Sequence, residues 1–501
     1  MVQPGTEDRW TDGATEMTRS PDRGSKTATN LEEAWAVEAA AGVTWTARPW
    51  VDPTDRAEAG KAARKRVPRD SHATFEPAPG RDPLAILDAQ ESSRWPDLVA
   101  LRHSRMAASP FPYYRGTPAV MAFDLSATPR TDILVQASGD SHLSNFGLFG
   151  SPERSLVFDA NDFDETLLGP WEWDVKRLAA SFVVAGRENG FSAQQNRTAA
   201  MTAVRGYREW MARYAEMRLI DIWYSKITDI DILAALEDWP GNSGSASARR
   251  RRGIDQIFAK ARSRDGLKAF ESLTTVIEGR RVIVEDPPVL AHDPRVGTPE
   301  QLAVVFAEYR ASMADDRRAF LERYRFVDGA RKVVGVGSVG TRCFVIVLEG
   351  RDRNDPLILQ AKEATESVLE PYFEHSHHEN HGQRVVTGQR AMQSTSDIFL
   401  GWTHGAFGQD FYIRQLWDMK GSVDTTEMQP LGLHFYGSIC GWSLARAHAR
   451  TGDAVAIASY LGSGDVFDSA VADFAEAYAD QNERDHRAYQ AAIADGRLGT
   501  I

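Results

Sequence analysis

The sequence predicts an α+β protein with a small antiparallel β lobe and a larger helical lobe. After Arg331, five stretches rich in Val, Ile, Phe and Tyr follow one another with the spacing of strands. On both sides of them, in 173–224 and again in 433–496, apolar residues recur with helical spacing. Such a grouping of strands between blocks of helices is typical of an α+β fold rather than an alternating α/β fold.

The composition excludes several classes of protein. The chain has 501 residues and a net charge of −12, whereas general nucleic-acid binders present a basic surface. Two cysteines rule out a disulfide scaffold or a Cys-rich zinc module. We find no signal-peptide pattern and no apolar run of about 18 residues, so we expect a cytoplasmic protein without a membrane partner. Nothing in the sequence predicts an oligomeric state.

The chain divides into four predicted regions. Residues 1–75 are polar and are predicted to form a disordered leader. Residues 80–330 form the helical lobe, 331–420 the β lobe, and 421–501 contribute helices that return to the larger lobe.

Three local predictions concern the helical lobe. The stretches 119–126 and 131–138 look like short strands, with a polar loop after the second of them. The segment 241–253, which contains a run of four arginines, is predicted to be a mobile solvated loop.

The first motif with chemical potential is the loop after the second of these strands. Asp140 and Asn145 lie five residues apart in it, and Asp159 follows 19 residues after Asp140 at the end of another strand. Two carboxylates and an amide are ligands that suit Mg²⁺, which also takes phosphate oxygens and water. The carboxylate that does not bind the metal can orient or deprotonate a hydroxyl group.

Neighbouring acidic residues leave the choice of metal ligand open. Asn161, Asp162, Asp164 and Glu165 enrich the same region in oxygen ligands, and any one of them is an alternative to Asp159. Asp174 stands at the start of a predicted helix, where a carboxylate serves as an N-cap or as a buried partner of the loop.

The second motif is a glycine segment between two predicted strands. Gly335, Gly337 and Gly340, with Ser338 between them, fit the pattern G-x-G-x-x-G. A dinucleotide-binding fold needs a helix after these glycines, but the next residues are β-branched and aromatic. A strand–glycine loop–strand arrangement is how protein kinases cover the phosphates of ATP.

Lys362 lies near the end of the second predicted strand after the glycine segment. A lysine at that position can reach nucleotide phosphates. Its acidic partner is predicted to be Glu366 or Glu370, which follow closely.

The loop Gly139-Asp140-Ser141-His142-Leu143-Ser144-Asn145 resembles the catalytic loop of aminoglycoside phosphotransferases and other kinase-like enzymes. This resemblance implies that Asp140 is the catalytic base, that Asn145 and Asp159 bind the metal, and that His142 is phosphate-proximal or structural. The helix segment 441–449 resembles the helix that normally runs into such a loop.

The order of the motifs departs from ordinary kinases, because here the catalytic loop precedes the glycine segment. If both motifs are genuine, the fold is a circularly permuted, two-lobe, protein-kinase-like fold, cut between the helix 437–449 and the strand that leads to Asp140. Residues 80–495 also resemble a large bacterial family of uncharacterised proteins, through GDSHLSNFG, FDANDFDE, GPWEWDVKRLAAS and KVVGVGSVGTRC among other segments.

These motifs predict a phosphotransferase that uses ATP and Mg²⁺ and acts on an unidentified hydroxyl-bearing acceptor. Two alternatives stay open: transfer of AMP instead of a phosphoryl group, and nucleotide binding without catalysis. Arg115 is interpreted either as a phosphate contact or as the partner of an acid in the core. The segment 374–381 holds four histidines and is interpreted as a polar loop, with a divalent metal site as the alternative.

Overall fold

A computed structural model describes residues 50–264, 266–416 and 419–501. Residues 1–49 of the predicted leader lie outside these described residues. The chain divides into two units, 1–53 and 54–501, and the elements discussed below belong to the second, apart from Pro53 at the start of the first helix.

Helices account for most of the regular structure, as the sequence predicts. Their bounds are α1 (Pro53–Arg66), α2 (Pro83–Glu91), α3 (Pro96–Ala107), α4 (Pro110–Gly116), α5 (Pro118–Ser126), α6 (Trp171–Glu188), α7 (Ala193–Glu216), α8 (Leu219–Tyr224), α9 (Asp229–Glu237), α10 (Gly244–Arg262), α11 (Gly266–Leu273), α12 (Pro299–Ala311), α13 (Asp315–Leu321), α14 (His381–Met392), α15 (Pro430–Thr451), α16 (Ala454–Leu461) and α17 (Val466–Ala494).

The strands pair in an antiparallel manner throughout the described residues, which confirms the predicted α+β class. Their bounds are β1 (Leu134–Ala137), β2 (Phe146–Gly150), β3 (Leu156–Ala160), β4 (Leu167–Pro170), β5 (Thr274–Ile277), β6 (Arg280–Ile283), β7 (Leu290–Ala291), β8 (Arg325–Lys332), β9 (Cys343–Glu349), β10 (Pro356–Ala364), β11 (Gly401–His404), β12 (Asp410–Gln415) and β13 (Gly421–Ser422).

The largest sheet has the strand order β11-β12-β10-β9-β8-β7. It begins earlier in the chain than the predicted boundary at residue 331, since β7 and most of β8 precede that residue. β8 and β9 pair antiparallel, and 333–342 connect them, so the glycine segment is a loop between two strands, as predicted. On the central strand β10, Lys362 is paired with Cys343 of β9 and Tyr412 of β12.

A second, three-stranded sheet has the order β13-β2-β3, and β1 pairs with β4. The main core lies beneath these strands, where α15 packs against α7. At Gly441, a Cβ atom would lie 2.1 Å from the carbonyl oxygen of Ala203, so only glycine permits this close approach. Trp210 and Trp442 stack across the same helix pair with their ring centroids 3.8 Å apart.

The end of α15 meets β1, the strand that leads to the Asp140 loop. The hydroxyl of Thr451 accepts the backbone N–H of Gln136 at 3.3 Å. At Gly452, a Cβ atom would lie 2.5 Å from Val135, which shows how close the two segments are.

Two local predictions are wrong. The residues 119–126, predicted as a strand, lie in α5. Pro118 occupies its first turn, and the Ala, Met and Leu side chains that follow suit a helix better than a strand. The residues 244–253, predicted as a loop, begin α10, in which Arg250 donates to Asn242 and Arg251 pairs with Glu237.

The predicted disordered leader is also corrected at its C-terminal end, because α1 is a helix. Arginines hold it against α16. Arg56 pairs with Asp453 at 2.9 Å, Arg64 donates to the carbonyl of Tyr460 at 2.7 Å, and Arg69 donates to that of Leu461. Arg64 and Arg69 thus satisfy carbonyls at the C-terminus of α16, and Arg56 pairs with its N-cap residue, interactions that a compositional argument does not detect.

Candidate functional site

A cavity of about 420 Å³ lies between the glycine segment and the loop that follows β1. The predicted site residues that line it are Asp140, His142, Asn145, Asp162, Asp164, Glu165, Arg115, Gly335, Gly337, Ser338 and Glu366. The predicted residues outside its wall are Asp159, Asn161, Asp174, Lys362, Gly340 and Glu370. The structure therefore brings together the two motifs that are far apart in the sequence.

Asp174 fixes the backbone at the start of the loop between β1 and β2. The carboxylate of Asp174 accepts the backbone N–H of Ser138 at 2.6 Å and that of Gly139 at 3.0 Å, and it also contacts His448. Asp174 is buried inside the first turn of α6, so it has the buried-partner role and not the N-cap role. Asn145 closes the loop by donating its side-chain N–H to the carbonyl of Asp140 at 2.7 Å.

Asp140 is paired with Arg177 of α6. The guanidinium contacts Oδ1 through Nε at 2.7 Å and through Nη2 at 2.6 Å. Arg177 is itself held by the ring of Tyr114, 4.4 Å from its centroid. Burial raises the pKa of Asp140, and the charge of Arg177 opposes that rise.

His142 is a buried, uncharged neighbour of this pair. Its Nε2 lies 3.8 Å from Oδ2 of Asp140. Burial and the charges of Arg115 and Arg177 hold the pKa of His142 well below its usual value, so the ring is neutral. Its Nδ1 atom has no hydrogen-bond partner within the part of the chain that the structure describes.

Asp159 is not at the cavity, so its predicted role as a metal ligand is wrong. Its carboxylate is fully buried beneath α15, where Arg446 lies 2.6 Å from Oδ1 and 2.7 Å from Oδ2. Ser443 and the backbone N–H of Ser394 also donate to it. The strand residue points into the helical core, and the carboxylates that reach the cavity come from the loop after β3.

Asp162 and Asp164 are those carboxylates, and they are the partners of Lys362. The Lys362 ammonium lies 2.5 Å from Asp164 Oδ2 and 3.3 Å from Asp162 Oδ1. Tyr412 donates to the other oxygen of Asp164 at 2.5 Å. Burial disfavours the Lys362 charge, yet the two carboxylates hold the pKa of this lysine well above its usual value.

The predicted pairing of Lys362 with Glu366 or Glu370 is therefore wrong. Glu370 is buried elsewhere and accepts hydrogen bonds from the backbone N–H of Ser367 and from His375. The two glutamates lie in the segment after β10, whereas Asp162 and Asp164 reach Lys362 from the loop after β3.

The glycine segment is fixed by residues of the N-terminal helices. Arg94 donates to the carbonyl of Val339 at 2.6 Å, and Arg105 donates to that of Gly335 at 2.7 Å. Gly340 has a φ of +92°, and a Cβ atom there would lie 3.0 Å from the Arg94 side chain, so both backbone strain and space favour glycine. Gly340 thus shapes the loop without lining the cavity.

Arg94 and Arg115 put positive charge on a wall that otherwise carries carboxylates. Among the described residues, neither has a carboxylate within ion-pair distance. Arg115 is half-buried, and its Nε atom has no hydrogen-bond partner in the described chain. Of the two sequence interpretations, the structure therefore disfavours the pairing of Arg115 with an acid in the core.

Sequence reasoning missed Arg177 and Arg94. Arg177 follows Asp174 by three residues on α6, so both lie on one face of that helix, and Asp174 was already recognised. Arg94 stands in an ordinary turn between two helices, where no sequence pattern marks it.

The comparison with protein families matches residues 94–492 to a family described as an uncharacterized protein conserved in bacteria (DUF2252). The chain belongs to that family. The match includes every residue named above on the cavity wall, and two further wall residues, Gln90 and Ser93, precede it. The comparisons with curated proteins and with solved structures give no match.

Among the described helices, none combines the length and apolar character that crossing a bilayer requires.

Proposed function

We propose that this protein is a phosphotransferase that uses ATP and Mg²⁺ and acts on a hydroxyl-bearing acceptor. One observation carries the proposal: the glycine segment, the Asp140–Asn145 loop and the Asp162/Asp164 pair line one cavity, although they come from distant parts of the sequence. Phosphoryl transfer needs a phosphate-binding backbone, oxygen ligands for a metal and a carboxylate near the acceptor. The cavity supplies all three.

We further propose that the fold is protein-kinase-like and circularly permuted. The order of elements supports this reading, because β8, the glycine loop, β9, the lysine strand β10, α14, β11 and β12 follow one another. α15 then ends beside β1, where Thr451 accepts the N–H of Gln136. A chain joined at that contact would run from α15 into the Asp140 loop, as the permutation requires.

Asn145 and Asp162 are the residues that would hold Mg²⁺. Both line the cavity, and amide and carboxylate oxygens are its preferred protein ligands. Although burial acts in the opposite direction, the charges of Lys362 and Arg414 hold the pKa of Asp162 below its usual value, so the carboxylate is ionised at neutral pH. When bound, Mg²⁺ neutralises developing charge on the transferred phosphoryl group.

The phosphates of the nucleotide would contact the glycine segment and Arg115. Both Gly335 and Gly337 line the cavity, and a Cβ at Gly335 would meet no atom within 4 Å, whereas one at Gly337 would lie 3.3 Å from the carbonyl oxygen of Arg115. The unpaired guanidinium of Arg115 suits an anionic ligand better than a neutral one. Lys362 acts indirectly, because its ammonium holds Asp162 and Asp164 in position.

Asp140 would orient the acceptor hydroxyl and take its proton. As the acceptor oxygen bonds to the γ-phosphorus, the bond from that phosphorus to the β–γ bridging oxygen breaks and ADP leaves. Arg177 holds the carboxylate in one orientation, so the contribution of the protein is mainly positioning and charge stabilisation.

Calorimetric titration with ATP, in Mg²⁺ and in EDTA, tests the binding part of the proposal. We expect Mg²⁺-dependent binding that Asp162→Asn weakens by about tenfold or more. Asp132→Asn is a suitable control, because Asp132 is exposed and asparagine tolerates its positive φ. Wild-type protein that binds no nucleotide with Mg²⁺ present would exclude the proposal.

Turnover tests the catalytic part. We expect Asp140→Asn to keep nucleotide binding and to lose ATP turnover. Nucleotide binding without turnover in either wild type or variant would favour the non-catalytic alternative, and an acceptor that gains AMP instead of a phosphoryl group would favour nucleotidyl transfer.

A further inference from the structure

A cluster of two glutamates and a histidine lies after β10 and takes no part in the proposed reaction. Among the described residues, Glu366, Glu370 and His375 each offer one ligand atom, and these atoms lie within 4.8 Å of one another. We propose that they form a binding site for Zn²⁺ or a similar borderline transition-metal ion.

The distances are close to those of a metal site. Nδ1 of His375 lies 3.0 Å from Oε2 of Glu370. Ligands at about 2.0–2.1 Å from a tetrahedral Zn²⁺ are about 3.3 Å from one another. Glu366 and His375 are exposed side chains, so they can close on an ion by rotation while the buried Glu370 stays fixed.

A fourth group lies in the same segment, outside the set of three whose ligand atoms are within 4.8 Å of one another. Nδ1 of His381, the first residue of α14, lies 3.9 Å from Oε1 of Glu370. That nitrogen is buried and has no hydrogen-bond partner in the described chain. Because the His381 side chain is 29% exposed, rotation can bring this nitrogen closer to the cluster as a further ligand.

The chemistry of the four groups favours zinc over magnesium. Imidazole nitrogen suits Zn²⁺ and other transition metals, whereas Mg²⁺ prefers sites made of oxygen alone. The two carboxylates also offset the charge of the ion. The guanidinium of Arg384 lies 3.8 Å from Glu370, so the cluster with its ion and this arginine carries only a small net charge. Glu366 also lines the larger cavity, so the metal would stand at its rim, but the site does not depend on the proposed function.

The experiment is a Zn²⁺ titration of the full-length protein against a chromogenic chelator, with millimolar Mg²⁺ present to occupy oxygen-only sites. We expect one Zn²⁺ per chain at micromolar affinity or tighter, and a loss of at least about tenfold in His375→Asn and in Glu366→Gln. His377→Asn, in the same histidine-rich segment but outside the cluster, should bind as the wild type does.

Cobalt provides a second readout that is independent of activity. Co²⁺ in the wild-type site should give the intense visible absorption of tetrahedral coordination, and His381→Asn should weaken it. Both exposed-residue variants leave the buried Glu370 intact, and far-UV circular dichroism will verify their folding. The proposal is overturned if wild type binds no Zn²⁺ in this range, or if His375→Asn and Glu366→Gln bind it unchanged.

Discussion

The ammonium of Lys362 lies 2.5 Å from the carboxylate of Asp164, although the two residues are 198 positions apart in the sequence. The same ammonium contacts Asp162, so one lysine of the large sheet holds both carboxylates that line the cavity. The pair thus links the two regions on which the proposed function depends.

Lys362→Met should destabilise the fold, since it removes the ammonium that pairs with two neighbouring carboxylates. Removal of one partner of a buried ion pair lowers the free energy of unfolding by about 3–5 kcal/mol. Because the two carboxylates are partly exposed, we expect a loss of about 2–3 kcal/mol here. Urea unfolding measures the loss. Lys362→Met combined with Asp164→Asn should recover part of it, and a single variant as stable as the wild type would contradict the assignment of the pair.

Asp159→Asn should lower stability without a selective effect on metal dependence. Its carboxylate is paired with Arg446 in the core, so we expect a loss of about 3 kcal/mol in the free energy of unfolding. Below its unfolding temperature, the variant should still bind nucleotide in an Mg²⁺-dependent manner, in contrast to Asp162→Asn. Wild-type stability with lost Mg²⁺ dependence would restore Asp159 as a metal ligand.

Arg177→Met should shift the pH dependence of turnover. Arg177 opposes the effect of burial on the Asp140 carboxyl, so its removal raises the pKa of Asp140 further. In its proposed role as the base, Asp140 must be ionised, and the half-maximal rate should therefore move to higher pH, with nucleotide affinity little changed.

The control for this prediction is Arg187→Met on the same helix, since Arg187 pairs at the surface with Asp480 and Glu483. A profile of Arg177→Met that keeps the wild-type midpoint while the rate falls would point to a purely structural role for Arg177.

Glu172→Gln should remove a pH dependence of stability. Burial raises the pKa of Glu172 to about 7 from an ordinary value of 4.5. In the wild type, the folded chain holds this proton up to about pH 7, whereas the unfolded chain releases it above about 4.5, so stability falls between these values. The variant should match the wild type at pH 4.5 and exceed it at pH 8 by about 1–3 kcal/mol in urea unfolding. Parallel pH curves would contradict the prediction.

The sequence predicted the strands around the glycine segment well, because short β-branched runs bounded by turn residues typically form strands. It also identified Asp140 and Asn145, which share one short loop whose spacing limits where their side chains point. The short apolar stretch of α5 was misassigned because periodicity cannot separate a buried helix from a strand over eight residues.

The pairings across the cavity could not be predicted. Lys362 meets Asp162 and Asp164 only because β10 and the loop after β3 approach each other in the tertiary fold, and local sequence favours the nearer Glu366. The same argument applies to Asp159, whose partner Arg446 is 287 residues away. A carboxylate at a strand end can face solvent or core, and the strand pattern alone does not determine which.

The three arginines that anchor α1 have a practical consequence for anyone preparing this protein. The family match starts at residue 94, well after these side chains. A fragment trimmed to that boundary would leave the carbonyls of Ser459, Tyr460 and Leu461 without the donors that cover them. The smallest portion worth expressing therefore begins no later than Pro53, some forty residues upstream of where family alignment alone would place it.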